Sequence, residues 1–179
     1  EEEKRWFDYW LKGIDNGVMD EPPIKIFVMG ANEWRFEKEW PLARTLVTPY
    51  YLHSDGSANS LNGDGRLSLR KPAEEPADRY DYDPDQPVPS IGGNLSTVSW
   101  SWTETGHEVT IAGPVDQRVI ERRQDVLVYT GEVLDTNIEV TGPVEVILYA
   151  ASSAQDTDFT ARLVDVFPSG QSIVMAEGI

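Results

Sequence analysis

Hydrophobic and polar positions alternate with period two over much of this chain. The longest such pattern lies between Glu139 and Pro168. After a Gly142-Pro143 turn, Val144, Val146, Leu148 and Ala150 fall on one face and Glu145, Ile147, Tyr149 and Ala151 on the other. This predicts a strand, rich in β-branched residues. Ser152 to Asp158 is small and polar, as a turn should be. Phe159, Ala161, Leu163 and Phe167 then alternate with Thr160, Arg162, Val164 and Val166, predicting a second strand stopped by Pro168-Ser169-Gly170. Both strands carry apolar residues on both faces, which places them inside a sandwich or under another layer, with Leu148 and Leu163 in the core.

The rest of the chain reads as shorter elements around this pair. Phe7, Trp10, Leu11 and Ile14 form an i, i+3, i+4, i+7 stripe, so Arg5 to Ile14 is expected to be a helix ended by Gly13 and Asp15-Asn16-Gly17. Ile24 to Met29 alternates and predicts a strand. Gly30 to Pro41 reads as a loop or short helical turn holding Trp34 and Trp40. Thr45 to His53 reads as a strand carrying Pro49, which points to an edge or a bulge. Short strands are expected at 66–69, 79–83, 126–130 and 138–141, and from Ser172 onward. Asp83 to Gly93 holds three prolines and two glycines and must be irregular. Leu95 to Ile111 is ambiguous: Val98, Trp100 and Trp102 alternate with Ser99, Ser101 and Thr103, as in a strand or an aromatic loop. Many short strands with turns between them predict an all-β fold, a β-sandwich of jelly-roll topology. Residues 1–21 separate as a terminal helix and linker, with Pro22-Pro23 at the boundary and the sandwich over 22–179.

Composition narrows the function classes. The 179 residues suit one domain of ordinary size. A net charge of −16 argues against nucleic acid and anionic membranes as partners, since both need a basic surface. No apolar run is long enough to cross a membrane as a helix. The lack of cysteine removes disulfides, thiol nucleophiles and cysteine metal sites, and is compatible with a cytoplasmic location. A start on three glutamates without Met leads us to expect an N-terminus cut from something longer.

Candidate chemistry is sparse. There is no G-x-S-x-G elbow, and the two histidines, His53 at a strand end and His107 in a polar loop, are expected to be hydrogen-bonded or surface residues. No catalytic residue is assigned. Asp55, Asn59, Asn62 and Asp64 lack the spacing of a calcium loop and are expected to be turn residues, and Asp156 and Asp158 to cap backbone amides. No metal or cofactor is implied. The six tryptophans are the one surplus. Trp34, Trp40, Trp100 and Trp102 could stack on sugars, as in a stand-alone carbohydrate-binding module, or cover a neighbouring domain.

Several blocks in order carry a resemblance. They are FDYWLKGIDNG (7–17), IFVMGANEWR (26–35), EWPLARTLVTPYYLHS (39–54), YDYDPDQPVPSIGG (80–93), GPVDQR (113–118), DVLVYTGEVL (125–134), and GPV followed by SSA-x-DTDFTA-x-LVDV-x-P-x-G (142–170). Together they resemble the C-terminal domain of the X-Pro dipeptidyl-peptidase and cocaine-esterase serine hydrolases. The resemblance implies a galactose-binding-like jelly roll that follows an α/β-hydrolase catalytic domain, with the first helix belonging to that catalytic domain. It implies a catalytic triad upstream of this chain and continuation of the sandwich beyond Ile179. The intact protein would hydrolyse an ester or amide through an acyl-enzyme. By the same resemblance, the segment after the glycine pair, beginning at Leu95 and including Trp100 and Trp102, is expected at the substrate cleft or the interdomain contact. The catalytic domain is the expected partner. Self-association is expected from the exposed aromatics of the helix and an unpaired sheet edge.

Overall fold

The structure, a computed structural model, describes residues 1–94 and 112–179 in full and the backbone of residues 100–103 and 106–109. The chain divides into two compact units, Glu1–Val47 with Thr136–Glu145, and Thr48–Asp135 with Val146–Ile179.

The first unit opens on helix α1 (Glu2–Lys12). Glu2 and Glu3 lie in its first turn and Lys12 in its last, so side-chain charge opposes the helix dipole at both ends. Asp8 pairs with Lys4 and, at 2.6 Å, with Lys12, each one turn away. Gly13 stops the helix in the left-handed conformation at φ 66°, where its N–H donates to Tyr9 O and Ile14 N–H reaches back to Asp8 O. Only a residue without Cβ adopts that closure cheaply. The apolar stripe is exposed: Trp6, Phe7, Trp10, Leu11 and Ile14 all present surface.

Strand β1 (Ile24–Val28) pairs antiparallel with β2 (Glu33–Glu37). The second of these corrects the expected loop. Trp34 and Phe36 alternate with Glu33, Arg35 and Glu37, and the aromatic pair packs across onto β1. Phe27 lies opposite Trp34 with ring centroids 5.3 Å apart, and Lys25 Nζ sits 5.3 Å from the Trp34 and Phe36 rings. Arg35 forms a two-pronged pair with Glu139 at 2.9 and 2.8 Å, and Thr45 Oγ1 donates to Thr141 O, which ties in the later segment.

The second unit contains β3 (Tyr51–His53), β4 (Arg66–Ser68), β5 (Trp100–Thr103), β6 (Gly106–Val109), a one-turn helix α2 (Arg118–Glu121), β7 (Thr130–Gly131), β8 (Ala161–Val166) and β9 (Ser172–Gly178). β4 lies between β3, antiparallel, and β7, parallel. β5 pairs antiparallel with β6, so His107 lies on a strand opposite Trp102 rather than in a loop. β8 and β9 form the longest hairpin. Its register runs Leu163↔Ala176 and then Val164↔Val174, so Met175 is an extra residue, a bulge that bends the strand. Ala58, Ile120 and Val174 are buried.

Among the described residues strands in several small sheets dominate and helix is minor, an all-β fold. Some expected strands do not form. Residues 45–50, 79–83 and 138–141 have no ladder, and of 126–130 only Thr130 joins a strand. Val144 to Ala151 is also without a ladder, with Leu148 at 49% and Tyr149 at 96% exposure, so Leu148 is not core in this structure. A strand apolar on both faces needs a covering layer on each. Among the described residues neither face of this segment is covered.

Candidate functional site

The residues singled out in the sequence fall between Gly93 and Gly113 along the chain. Trp100 and Trp102 are on β5, and Leu95 lies outside the described residues. The two stems of this stretch meet at Gly93 and Gly113, which exchange two backbone hydrogen bonds of 2.9 and 3.0 Å.

The stems are anchored by a chain of polar side chains that sequence reasoning did not pick out. Glu177, near the end of β9, places Oε1 2.9 Å from the Asn94 amide. Its other oxygen lies 3.3 Å from Arg162 Nε, directly across the β8–β9 ladder. Arg162 Nη1 donates to Gln117 Oε1 at 2.6 Å. Gln117 is 2% exposed, and its Nε2 donates to the carbonyls of Ile91 and Val115, each at 2.9 Å. One buried amide thus holds both stems, and one carboxylate holds the exit of the first.

Local conformation makes this seat possible. Gly92 and Gly93 have φ of 72° and 78°, and the next amide, that of Asn94, meets the Glu177 carboxylate while the Gly93 amide goes to Gly113 O. A Cβ on Gly93 would stand 2.2 Å from Glu177 Oε1, and one on Gly92 would stand 2.6 Å from Gly113 O. The second stem runs beside β9: Gln117 N–H donates to Ser172 O, and Val174 N–H to Val115 O. Asp116 forks onto Arg118 and accepts from the amides of Arg118 and Ser172, and the Arg118 guanidinium is the main cause that brings its carboxyl down to about 2.

A second polar cluster centres on Asp78. Asp78 accepts from Tyr129 Oη at 2.6 Å, Ser54 Oγ at 2.8 Å and the Ala58 amide at 2.8 Å. Burial pushes the Asp78 carboxyl up, but these three donors together outweigh it and hold it below the usual range. Burial, and then Asp78 itself, push the Tyr129 phenol up. The Asp55 to Asp64 stretch is built as turns. Asp64 accepts from the Asp55 amide, and Asn59 Nδ2 donates to the carbonyls of Arg79 and Gln124.

With this geometry in view, the comparison with known domains is informative. The X-Pro dipeptidyl-peptidase C-terminal non-catalytic domain matches residues 16–179. The chain belongs to that family. It is 47% identical over 176 residues to a cocaine esterase of Rhodococcus sp., covering 98% of this chain and 29% of that protein. It is 31% identical over 177 residues to a putative serine esterase of Mycobacterium bovis, covering 97% of this chain and 25% of that protein. A shorter stretch of 40 residues, 22% of this chain and 7% of the relative, is 48% identical to a putative Xaa-Pro dipeptidyl-peptidase of Bacillus cereus. The chain therefore spans less than a third of the length of these curated relatives.

Within this X-Pro dipeptidyl-peptidase C-terminal domain, Ser68, His53 and Glu75 lie together. Ser68 Oγ lies 3.1 Å from His53 Nε2, and His53 Nδ1 lies 2.8 Å from Glu75 Oε1. The residue types are those of a hydrolytic triad, but the hydrogen bonds are not. His53 Nε2 is also 2.8 Å from the Arg70 carbonyl, which can only accept. That nitrogen therefore carries a hydrogen and has no lone pair with which to take a proton from Ser68. Ser68 Oγ in turn accepts from the Arg70 amide, and His53 is buried. The three side chains staple β3, β4 and the 70–75 loop together, in keeping with the domain's non-catalytic description. Among the described residues no helix is long and apolar enough to cross a membrane.

Proposed function

We propose that this chain is the C-terminal jelly-roll β-sandwich, galactose-binding-like in architecture, of a serine hydrolase with an α/β-hydrolase catalytic domain. The parent enzyme cleaves an ester or an X-Pro peptide bond through an acyl-enzyme. The chain supplies no nucleophile. Its first 21 residues close the catalytic domain, and residues 22–179 form the sandwich. Leu95, Trp100 and Trp102 contribute a wall of the substrate cleft or its contact with the catalytic domain. The observation that carries this reading is the match of residues 16–179 to a domain described as non-catalytic, in relatives that are esterases and peptidases. Those relatives give the carbohydrate-binding reading no support.

The exposed stripe on α1 fits the same picture. A contiguous aromatic face is unusual on a monomer and marks a contact. The catalytic domain is its natural cover, and in the separated chain a second copy takes that place, more strongly as salt screens the net charge of −16. Light scattering at low and moderate ionic strength tests this. A monomer under all conditions would refute it.

The cleft reading is tested in the full-length enzyme that carries this chain. Replacing Trp100 and Trp102 together by Ser should lower kcat/KM for nitrophenyl acetate or an X-Pro anilide while leaving Tm nearly unchanged. Unchanged kinetics would overturn it. The separated chain should turn over neither substrate.

A further inference from the structure

Two Asn-Gly pairs occur in the chain, Asn16-Gly17 and Asn62-Gly63. In such a pair the glycine nitrogen can attack the asparagine side-chain amide, because no Cβ on the following residue shields it. The fold treats the two pairs differently. Asn16 is half-buried and its amide is held at both ends: Nδ2 donates to Arg5 O at 2.8 Å, and Oδ1 accepts from the Val18 amide at 3.2 Å. Both bonds must break before that amide can turn onto Gly17. Asn62 and Gly63 are exposed, and the Asn62 side-chain amide makes no hydrogen bond among the described residues. What restrains the pair is one backbone bond, from Gly63 N–H to Ser60 O at 3.1 Å.

Packing keeps the second pair as it is. A Cβ on Gly63 would stand 2.5 Å from Ser57 O and 2.8 Å from Asn59 O. The turn that folds back on residues 57–59 therefore requires glycine at 63, and with it an unshielded nitrogen directly after Asn62. The same stretch is tied to a later one, since Ser60 N–H donates to Val126 O and Leu61 N–H to Glu121 O. The next carboxylate along, Asp64, is poorly placed to receive a like charge beside it. One of its oxygens accepts from the Asp55 amide, and the other is buried and accepts no hydrogen bond.

We propose that Asn62 is a site of self-modification: it deamidates through attack by the Gly63 nitrogen, and the product loosens the turn that holds residues 60–64. The Gly63 nitrogen, its proton given up to hydroxide or a buffer base, bonds to Asn62 Cγ. The Cγ–Nδ2 bond breaks, and that nitrogen takes a proton from solvent and leaves as ammonia. A succinimide ring remains, which water opens. Addition at Cγ breaks the new bond to Gly63 and gives aspartate. Addition at the Asn62 backbone carbonyl breaks the original peptide bond and gives isoaspartate, whose main chain runs through Cβ and Cγ. Nothing is oxidised or reduced; amide and water become acid and ammonia. The Ser60 O bond must open first, so the reaction follows local opening of the turn. Either product sets a new carboxylate near Asp64. Isoaspartate also lengthens the backbone where Gly63 has no room for a methyl group, so it is the product that frees residues 60–64. None of this depends on what the parent enzyme hydrolyses.

The test uses the full-length enzyme, aged in mildly alkaline buffer at physiological temperature. Peptide mapping by tandem mass spectrometry locates the conversion of amide to acid and separates aspartate from isoaspartate. Asn62 should convert about fivefold faster than Asn16, the ratio that one more ordinary hydrogen bond imposes. In urea-unfolded chain the two pairs should convert at similar rates, since only the fold separates them. Asn62→Gln should abolish the fast conversion. Hydrogen exchange at the Ser60 and Leu61 amides should quicken in the aged wild type and not in aged Asn62→Gln. Equal rates in the folded enzyme, or Asn16 the faster, would overturn the site. A faster Asn62 with unchanged exchange at Ser60 and Leu61 would overturn the loosening.

Discussion

Gln117 offers the sharpest test of how the second unit is held. The perturbation is Gln117→Leu, close in size and without polar atoms. In the native chain its amide donates to Ile91 O and Val115 O and accepts from Arg162, at 2% exposure. After substitution Val115 O keeps the Val174 amide as a partner, so one carbonyl, that of the half-buried Ile91, loses its donor. An orphaned buried acceptor costs about 1–3 kcal/mol, and loss of a hydrogen bond from a charged donor about 1.5–3 kcal/mol. Burial of the new methyl groups returns about 1 kcal/mol. The net loss is about 1.5–5 kcal/mol, or roughly 3–20 °C in Tm for a chain of this size. Urea unfolding followed by tryptophan fluorescence and by circular dichroism measures it. Gln117→Glu is the comparator: an ionised carboxylate cannot donate to either carbonyl, so it should be at least as destabilising at neutral pH. A loss below about 0.5 kcal/mol for Gln117→Leu would place it among ordinary surface substitutions and refute the buried-amide reasoning.

Three further outcomes are expected. The Asp116 carboxyl is lowered from 3.8 to about 2, so its contribution is complete above the unfolded value and is lost as pH falls through the folded one; Asp116→Asn should flatten the acid limb of stability in that window, and an unchanged limb would exclude the Asp116–Arg118 pair as its cause. Ile120→Ala should cost about 2–5 kcal/mol in urea unfolding, whereas Leu148→Ala should stay within about 0.5 kcal/mol; the reverse order would show Val144 to Ala151 to be the buried element. In an alkaline absorbance titration one of the seven tyrosines should ionise late, and Tyr129→Phe should remove that late phase; a late phase that persists would assign it to another phenol.

The legible parts of the fold are those in which local pattern and pairing agree. β1 and β8 show period-two alternation, and α1 ends at Gly13, one of the expected stops. β2 escaped because its alternate residues Glu33, Arg35 and Glu37 are charged, and charge at every second position reads as loop until Phe27 and Lys25 are seen opposite Trp34 and Phe36. β6 escaped for a related cause, since Gly106-His107-Glu108-Val109 has almost no apolar signal and exists by pairing with β5. Val144 to Ala151 shows the opposite failure: alternation was strong, but a ladder needs a partner as well as a pattern. At the site, the tryptophans announce themselves by type. Gln117 and Glu177 do not, because a polar residue is assigned to solvent unless three-dimensional contacts say otherwise. The only hint was positional, in that the Gly113 to Arg118 block containing Gln117 directly follows the aromatic segment.

The interleaving of the two units has a consequence for the order of folding. The first unit is made of residues 1–47 and 136–145, so its closing contacts, Arg35 with Glu139 and Thr45 with Thr141, join positions about a hundred residues apart. During synthesis α1 and the β1–β2 hairpin are available early, because their contacts are local and cheap in chain entropy. The unit they begin cannot close until the intervening stretch has been made. Each doubling of that loop adds only about 0.6 kcal/mol to closure, so the delay is one of time more than of free energy. If the second unit collapses first, it draws the ends of the loop together and shortens the search. A nascent chain halted before Thr136 would hold a hairpin and a helix with the Thr136–Glu145 part of their unit still unmade.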